Sequence, residues 1–143
     1  MTIWRSAKTL DELNDGEGTL PHQLGMRFTE IGEDYLTGTM PVDGRTRQPY
    51  GLLHGGASVA LAETLGSMGA AMCVDAGFQV VGQEINANHV RGARSGLVKG
   101  TARPVHLGGR SHVWSIEIVD EAGKLVCISR LTVAVIKRGA LSG

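Results

Sequence analysis

The segment from Gly56 to about Ala76 constrains the fold more than any other part of the chain. Up to Asp75 it is apolar or small nearly all round and carries one charged side chain, Glu63. Leu61, Leu65, Met68 and Met72 recur at spacings of four, three and four, which predicts one helical stripe. At about 100° per residue, Glu63, Ser67, Ala70 and Val74 fall on the opposite side. That side is also apolar or small, so the spacing predicts an interior helix covered on both faces. Gly56, Gly66 and Gly69 lower its helix propensity and predict that another backbone packs close.

Everything after Asp75-Ala76-Gly77 reads as strand: about Gln79–Arg91, Leu97–His106, His112–Val119 and Leu125–Lys137. In the third of these, Val113, Ser115, Glu117 and Val119 alternate with Trp114, Ile116 and Ile118. The run Leu131–Ile136 is almost continuously apolar, the pattern of a strand buried on both faces. Glu121-Ala-Gly-Lys124 is a turn that makes the last two strands antiparallel neighbours. Upstream, Met26 to Val42 reads as two strands joined at Gly32-Glu33-Asp34, and Pro41 to Pro49 as a polar loop. Ser6 to Leu13 has helical spacing and starts at Ser6 or Thr9.

The inventory is one long buried helix against five or six mostly antiparallel strands, an α+β domain in which a curved sheet wraps the helix. We expect an N-terminal segment with a short helix over 1–20, the domain over 21–139 and a tail over 140–143. The length of 143 residues suits one core.

Fourteen basic and fourteen acidic side chains cancel, which argues against duplex nucleic acid or an anionic membrane as the main partner. Met1 to Asn14 lacks the apolar core of a signal peptide, and no window has the length of a membrane span. A cytoplasmic protein is expected. Cys73 and Cys127 lie in apolar runs without metal-ligand spacing and read as buried free thiols. No histidine pair has ligand spacing either, so no metal is expected.

Glu63 is the first candidate for chemistry, since a lone carboxylate in such a helix is costly to bury without a partner. Its plainer reading is an exposed helix edge or a structural ion pair. Ser67 stands one turn on, and the helix opens at Leu53-His54-Gly55-Gly56, where unpaired backbone N–H groups attract a developing oxyanion. Amides that polarise a carbonyl and a carboxylate that activates water or attacks directly make a hydrolase. Yet Glu63 lies roughly 12 Å along the helix from Gly55 at 1.5 Å per residue. Two antiparallel copies of the helix would bring one chain's Gly55 beside the other's Glu63, so an obligate dimer with shared sites is expected. Gln48, His54 and His89 are further candidates; each alone also reads as a loop or core residue. Ser58 and Ser67 lack a nucleophile-elbow setting, and no phosphate-binding glycine motif occurs. Arg91, Arg94, Arg103, His106 and Arg110 gather late in the chain and could grip phosphates near Gly108-Gly109-Arg110-Ser111.

Gln48-Pro-Tyr-Gly-Leu-Leu-His-Gly-Gly56, then Glu63, Ser67-Met68 and Val81-Gly-Gln-Glu-Ile-Asn-Ala-Asn-His89 together resemble the hotdog-fold thioesterases. The branch most similar is the helix-Glu type of 4-hydroxybenzoyl-CoA thioesterase, with its menaquinone- and enterobactin-pathway relatives. The resemblance spans about Leu24 to Lys137. It implies a hotdog fold, a dimer with a continuous sheet, and a homotetramer of two dimers. It implies hydrolysis of an aryl-type acyl-CoA, with coenzyme A as part of the substrate and no separate cofactor. Glu63 would be nucleophile or general base, the Gly55 N–H would polarise the thioester carbonyl, and Gln48 and His54 would orient carbonyl or water. Ser67 would place the water or leaving group, and Met68 and His89 would line the acyl pocket. Arg91, Arg94, His106, Gly109, Arg110 and Ser111 would form the edge that binds coenzyme A. Rival readings within the fold are a hydratase or dehydratase, a proofreading thioesterase acting on carrier-protein conjugates, and a non-catalytic acyl-CoA-binding module.

Overall fold

The computed structural model describes residues 1–141; the last two residues of the expected tail lie outside the described residues. Two short helices come first, α1 (Leu10–Asn14) and α2 (Leu20–Gln23). A hairpin of β1 (Arg27–Ile31) and β2 (Leu36–Pro41) leads through a loop into the long helix α3 (Gly55–Met72). Four strands follow: β3 (Phe78–His89), β4 (Leu97–Leu107), β5 (Ser111–Val119) and β6 (Leu125–Lys137). They form one six-stranded sheet in the order β1-β2-β4-β5-β6-β3, every neighbouring pair antiparallel. Because α3 joins β2 to β3 at the far edge, it crosses the inner face of the sheet and packs against β2, β3, β4, β5 and β6. This is the α+β hotdog arrangement.

The alternation on β5 holds. Trp114, Ile116 and Ile118 are fully buried against α3, joined by Leu131 and Val133 of β6, Val98 and Ala102 of β4, and Leu36 and Met40 of β2. From the helix come Leu61, Leu65, Ala62, Ala70 and Met72. Each large aliphatic side chain so buried contributes about 1.5–3 kcal/mol of transfer free energy.

Several sequence expectations change. The short first helix starts at Thr9, not Ser6: the Thr9 hydroxyl accepts from the Glu12 N–H while the Glu12 carboxylate accepts from the Thr9 N–H. The long helix ends at Met72, and Cys73 is its C-cap. The sheet covers only one face of α3; Val59, Ala60, Glu63, Thr64, Ser67, Met68 and Ala71 on the other face are half-buried. Gly66 and Gly69 make room for side chains of the sheet, not for another backbone, and Gly56 meets only the His54 ring. A Cβ on Gly69 would come within 2.8 Å of the Trp114 ring, and one on Gly66 within 2.7 Å of Leu131. The β6 strand is paired on both edges, yet within Leu131–Ile136 only Leu131 and Val133 are buried, and Thr132, Ala134, Val135 and Ile136 are half-buried. The outer face is only half-covered there because nothing among the described residues packs over it.

Candidate active site

The first turn of α3 accounts for nearly all of its free amides. His54 caps the helix: its Nδ1 accepts from the Gly56 N–H at 2.8 Å. The His54 carbonyl accepts from Ala57 N at 3.0 Å and Ser58 N at 3.2 Å. Gly55 alone among these four donors makes no hydrogen bond within the described residues. Accepting at Nδ1 leaves the neutral His54 ring its proton on Nε2. One unpartnered N–H at the positive end of an 18-residue helix is therefore the local attraction for a developing negative oxygen.

Three further candidates converge there. A Cβ on Gly55 would lie 2.9 Å from His89 Nε2, so the imidazole at the end of β3 rests on this glycine. Gln48 is held by a turn in which its Oε1 accepts from the Tyr50 N–H and its own N–H donates to the Leu52 carbonyl at 2.7 Å. That leaves the Gln48 side-chain NH2 as a free donor among the described residues. Gln48, His89 and Arg91 line one cavity of about 290 Å3, walled by Leu52, Leu53, Val90 and Val126 and floored by Ser58.

Glu63 lies further along the helix, half-buried, with no hydrogen bond or ion pair among the described residues. Its carboxylate covers Gly82 of β3, where a Cβ would collide with Oε2. A bulge between Gly82 and Glu84 shifts the strand by one residue, so Gly82 faces α3 together with Ile85, Ala87 and His89. Ser67 and Met68 continue the same half-buried helix face. Within one chain Glu63 and Gly55 stay about 12 Å apart, as eight helical residues require.

The residues assigned to a coenzyme A edge do not come together in one chain. Arg91 and Arg94 are exposed on the loop beside the start of α3. His106, Gly109, Arg110 and Ser111 sit around the β4–β5 turn, at the other end of the eleven-residue β4 and so roughly 30 Å away. There the His106 ring packs on Gly108, and the Ser111 carbonyl accepts from Gly108 N at 2.9 Å.

Two features escaped the sequence reading. Ser58, which lacks the surroundings of a nucleophile, is 2% exposed and lines the cavity. A second cavity of about 670 Å3 lies past the C-terminal end of α3, lined by Trp4, Cys73, Phe78, Gly109 and His112 among others. Burial pushes the Cys73 thiol up to about 11, raises Cys127 and lowers the His112 imidazole. No three His, Cys, Asp or Glu side chains gather as metal ligands among the described residues, and no helix there is long and apolar enough to cross a membrane.

Comparison with known proteins agrees with this geometry. The family model of the thioesterase superfamily matches residues 50–127, from the Gln48 loop through α3 and into β6. The chain is 56% identical over 135 residues to 1,4-dihydroxy-2-naphthoyl-CoA hydrolase of Escherichia coli K12, covering 94% of this chain and 99% of that one. It is 52% identical over 134 residues to the proofreading thioesterase EntH of Cronobacter turicensis, covering 93% and 98%. Among solved structures, a thioesterase of Haemophilus influenzae superposes with a TM-score of 0.96 at 46% identity, covering 99% of this chain and all of that one. The chain belongs to the thioesterase superfamily and is a thioester hydrolase of the hotdog fold.

Proposed function

We propose that the protein hydrolyses an aromatic acyl-CoA of the hydroxybenzoyl or dihydroxynaphthoyl kind to the free acid and coenzyme A, in the cytoplasm. The observation that carries this reading is the Gly55 N–H, the one donor of the helix start left unpartnered among the described residues, under the His89 ring that lines a cavity of aryl size. The 56% identity to a dihydroxynaphthoyl-CoA hydrolase supports the substrate class.

In this reading the thioester carbonyl accepts from Gly55 N–H, and charge gathers on that oxygen as the tetrahedral intermediate forms. The free NH2 of Gln48 and the Nε2–H of His54 orient the carbonyl or the water. Met68 and His89 bound the acyl group, and Ser67 positions water or the leaving thiolate. Glu63 takes a proton from water as general base or attacks the carbonyl carbon itself, the thiolate of coenzyme A leaving in either route. Coenzyme A is gripped by Arg91 and Arg94 at one end and by His106, Gly109, Arg110 and Ser111 of a neighbouring subunit at the other. That division reconciles their separation within a single chain.

A shared site follows from the 12 Å gap, and the surface supports it. At one sheet edge β3 is twelve residues long and, among the described residues, bonded only to β6, whereas the opposite edge, β1, has five residues. A long open edge strand is a template for pairing. Pairing β3 with β3 of a second copy would also cover the half-buried outer face of α3. We place the working unit at a dimer, and two dimers at a homotetramer.

Complementation tests both the roles and the sharing. Glu63→Gln keeps the shape, and removing the base is expected to lower kcat/KM on aryl-CoA esters by about 10²–10⁴. Mixing two inactive variants, Glu63→Gln and Gly55→Ala, is expected to restore about a quarter of wild-type activity, because half the dimers are mixed and each has one intact site. No recovery on mixing would place both groups in one subunit's site and overturn the sharing. Full activity in Glu63→Gln would overturn its role.

A further inference from the structure

Ser58 is a buried polar side chain that the chain itself does not satisfy. It sits one turn into α3, 2% exposed, and its hydroxyl has no hydrogen-bond partner among the described residues. Its backbone N–H is already used by the His54 carbonyl. The hydroxyl is not sealed off, because it opens onto the cavity, where water or a ligand completes its hydrogen bond. The cavity above it is apolar on its sides, through Leu52, Leu53 and Val126, and polar where Gln48 and His89 enter. Three unpartnered groups, the Ser58 hydroxyl, the Gln48 NH2 and the His89 imidazole, thus converge on a space of about 290 Å3. No carboxylate lines it, and its one cation, Arg91, is exposed.

We infer that Ser58 is a specificity-determining residue that hydrogen-bonds a hydroxyl on the aromatic ring of the acyl group; the inference rests on the aryl-CoA reading above. His89 links the two sites, since its ring both lines the cavity and touches Gly55. A thioester carbonyl held by Gly55 N–H therefore has its acyl group at the cavity entrance. A flat ring meets the leucine and valine walls. A ring hydroxyl, donor and acceptor at once, pairs with a serine hydroxyl in either sense. An unsubstituted ring or an alkyl chain that fills the cavity displaces that partner and leaves the Ser58 hydroxyl unpaired at a cost of about 1–3 kcal/mol, and a site built to bond a hydroxyl rejects analogues that lack one far better than a merely apolar pocket can reject an added one. Ser58 acts on selection, not on bond breaking, which explains why it lacks the surroundings of a nucleophile.

The test is kcat/KM of the wild-type enzyme and of Ser58→Ala on benzoyl-CoA and on its 2-, 3- and 4-hydroxy derivatives. Wild-type enzyme is expected to prefer at least one hydroxylated ester over benzoyl-CoA. Ser58→Ala is expected to shrink that preference by about tenfold, mainly through KM. Alanine has the higher helix propensity, so folding should persist. Ser58→Cys, nearly the same shape with a weak donor, should fall between the two and serves if the alanine variant misfolds. A purely structural role would lower turnover of every ester alike and leave the ratio unchanged; that result overturns the inference. So does a wild-type enzyme that turns over benzoyl-CoA as well as its hydroxylated forms, and in both cases the aryl-CoA reading survives. Absence of turnover on all four esters would overturn the reading and the inference together.

Discussion

The two ends of α3 are finished in opposite ways. At the C-terminal end the chain closes on itself: the Met72 carbonyl accepts from Arg5 N at 2.8 Å and Ser6 N at 3.0 Å, and the Val74 carbonyl from the Ser6 hydroxyl at 2.9 Å. Trp4 covers this end, its ring stacked on Trp114 with centroids 6.5 Å apart. At the N-terminal end three of the four amides are satisfied from within, and the Gly55 N–H is left over beside an open cavity. Helix termini leave unpaired groups that must be satisfied somewhere. Here one end uses them to anchor the N-terminal segment, and the other holds one in reserve for a ligand. Damage to the first should cost stability, damage to the second chemistry.

The sharpest way to separate the ends is Gly55→Ala. The added Cβ would stand 2.9 Å from His89 Nε2, so the imidazole must move and the site loses its shape. A displacement of that order is expected to lower kcat/KM by about 10². Stability should hardly change, because alanine favours helix. Kinetics beside a thermal melt check it; near-normal turnover, or a large fall in Tm, would break the comparison.

Much of this contrast was readable in the sequence, and its limits have physical causes. The apolar period of α3, the alternation of β5 and the Glu121–Lys124 turn gave the fold because each is a local pattern. Glu63 stood out because one charge in an apolar helix is conspicuous. The four-residue α2, with Pro21 in its first turn, is too short to show a period. Gly66 and Gly69 of α3 predict a close backbone, because sequence records that space is needed but not which neighbour fills it; the side chains of Leu131 and Trp114 do. The bulge beside Gly82 and the cavity over Ser58 depend on pairing with β6 and on the Leu52–Leu53 turn, both remote in sequence from the residues they position.

At the closed end the expected damage is smaller and of the other kind. Trp4 is half-buried, and its Nε1–H donates to the Gly32 carbonyl at 2.7 Å. Trp4→Ala removes the stack and that hydrogen bond. We expect a loss of about 2–3 kcal/mol of unfolding free energy, below the range for a wholly buried tryptophan. Below the melting temperature kcat should be little changed. Denaturant titration with initial rates on the same preparation measures both. A variant that keeps its stability but loses turnover would mean the N-terminal segment serves the site.

The subtlest contrast is in pH. His112, on the cavity floor at the closed end, is 3% exposed and its buried Nδ1 has no partner. Burial first, then the nearby His106, lowers its pKa from 6.5. In the folded protein the ring therefore stays neutral at a pH where the unfolded chain has already taken up a proton. The unfolded state binds more protons across that window, so stability rises with pH through it. Stability is thus complete above about pH 6.5 and declines as the pH falls toward the lowered folded value, with a slope of at most about 1.4 kcal/mol per unit for one proton. His112→Leu removes the titrating group and should flatten this part of the profile. Urea unfolding of both proteins from pH 7.5 to 5 gives the contribution of His112, with its coupling to His106, as the difference between the two curves. A parallel pair of curves would show that His112 becomes protonated as readily in the folded chain as in the unfolded one. The closed end would then be wetter than its hydrogen bonds suggest, and the two ends of α3 less different.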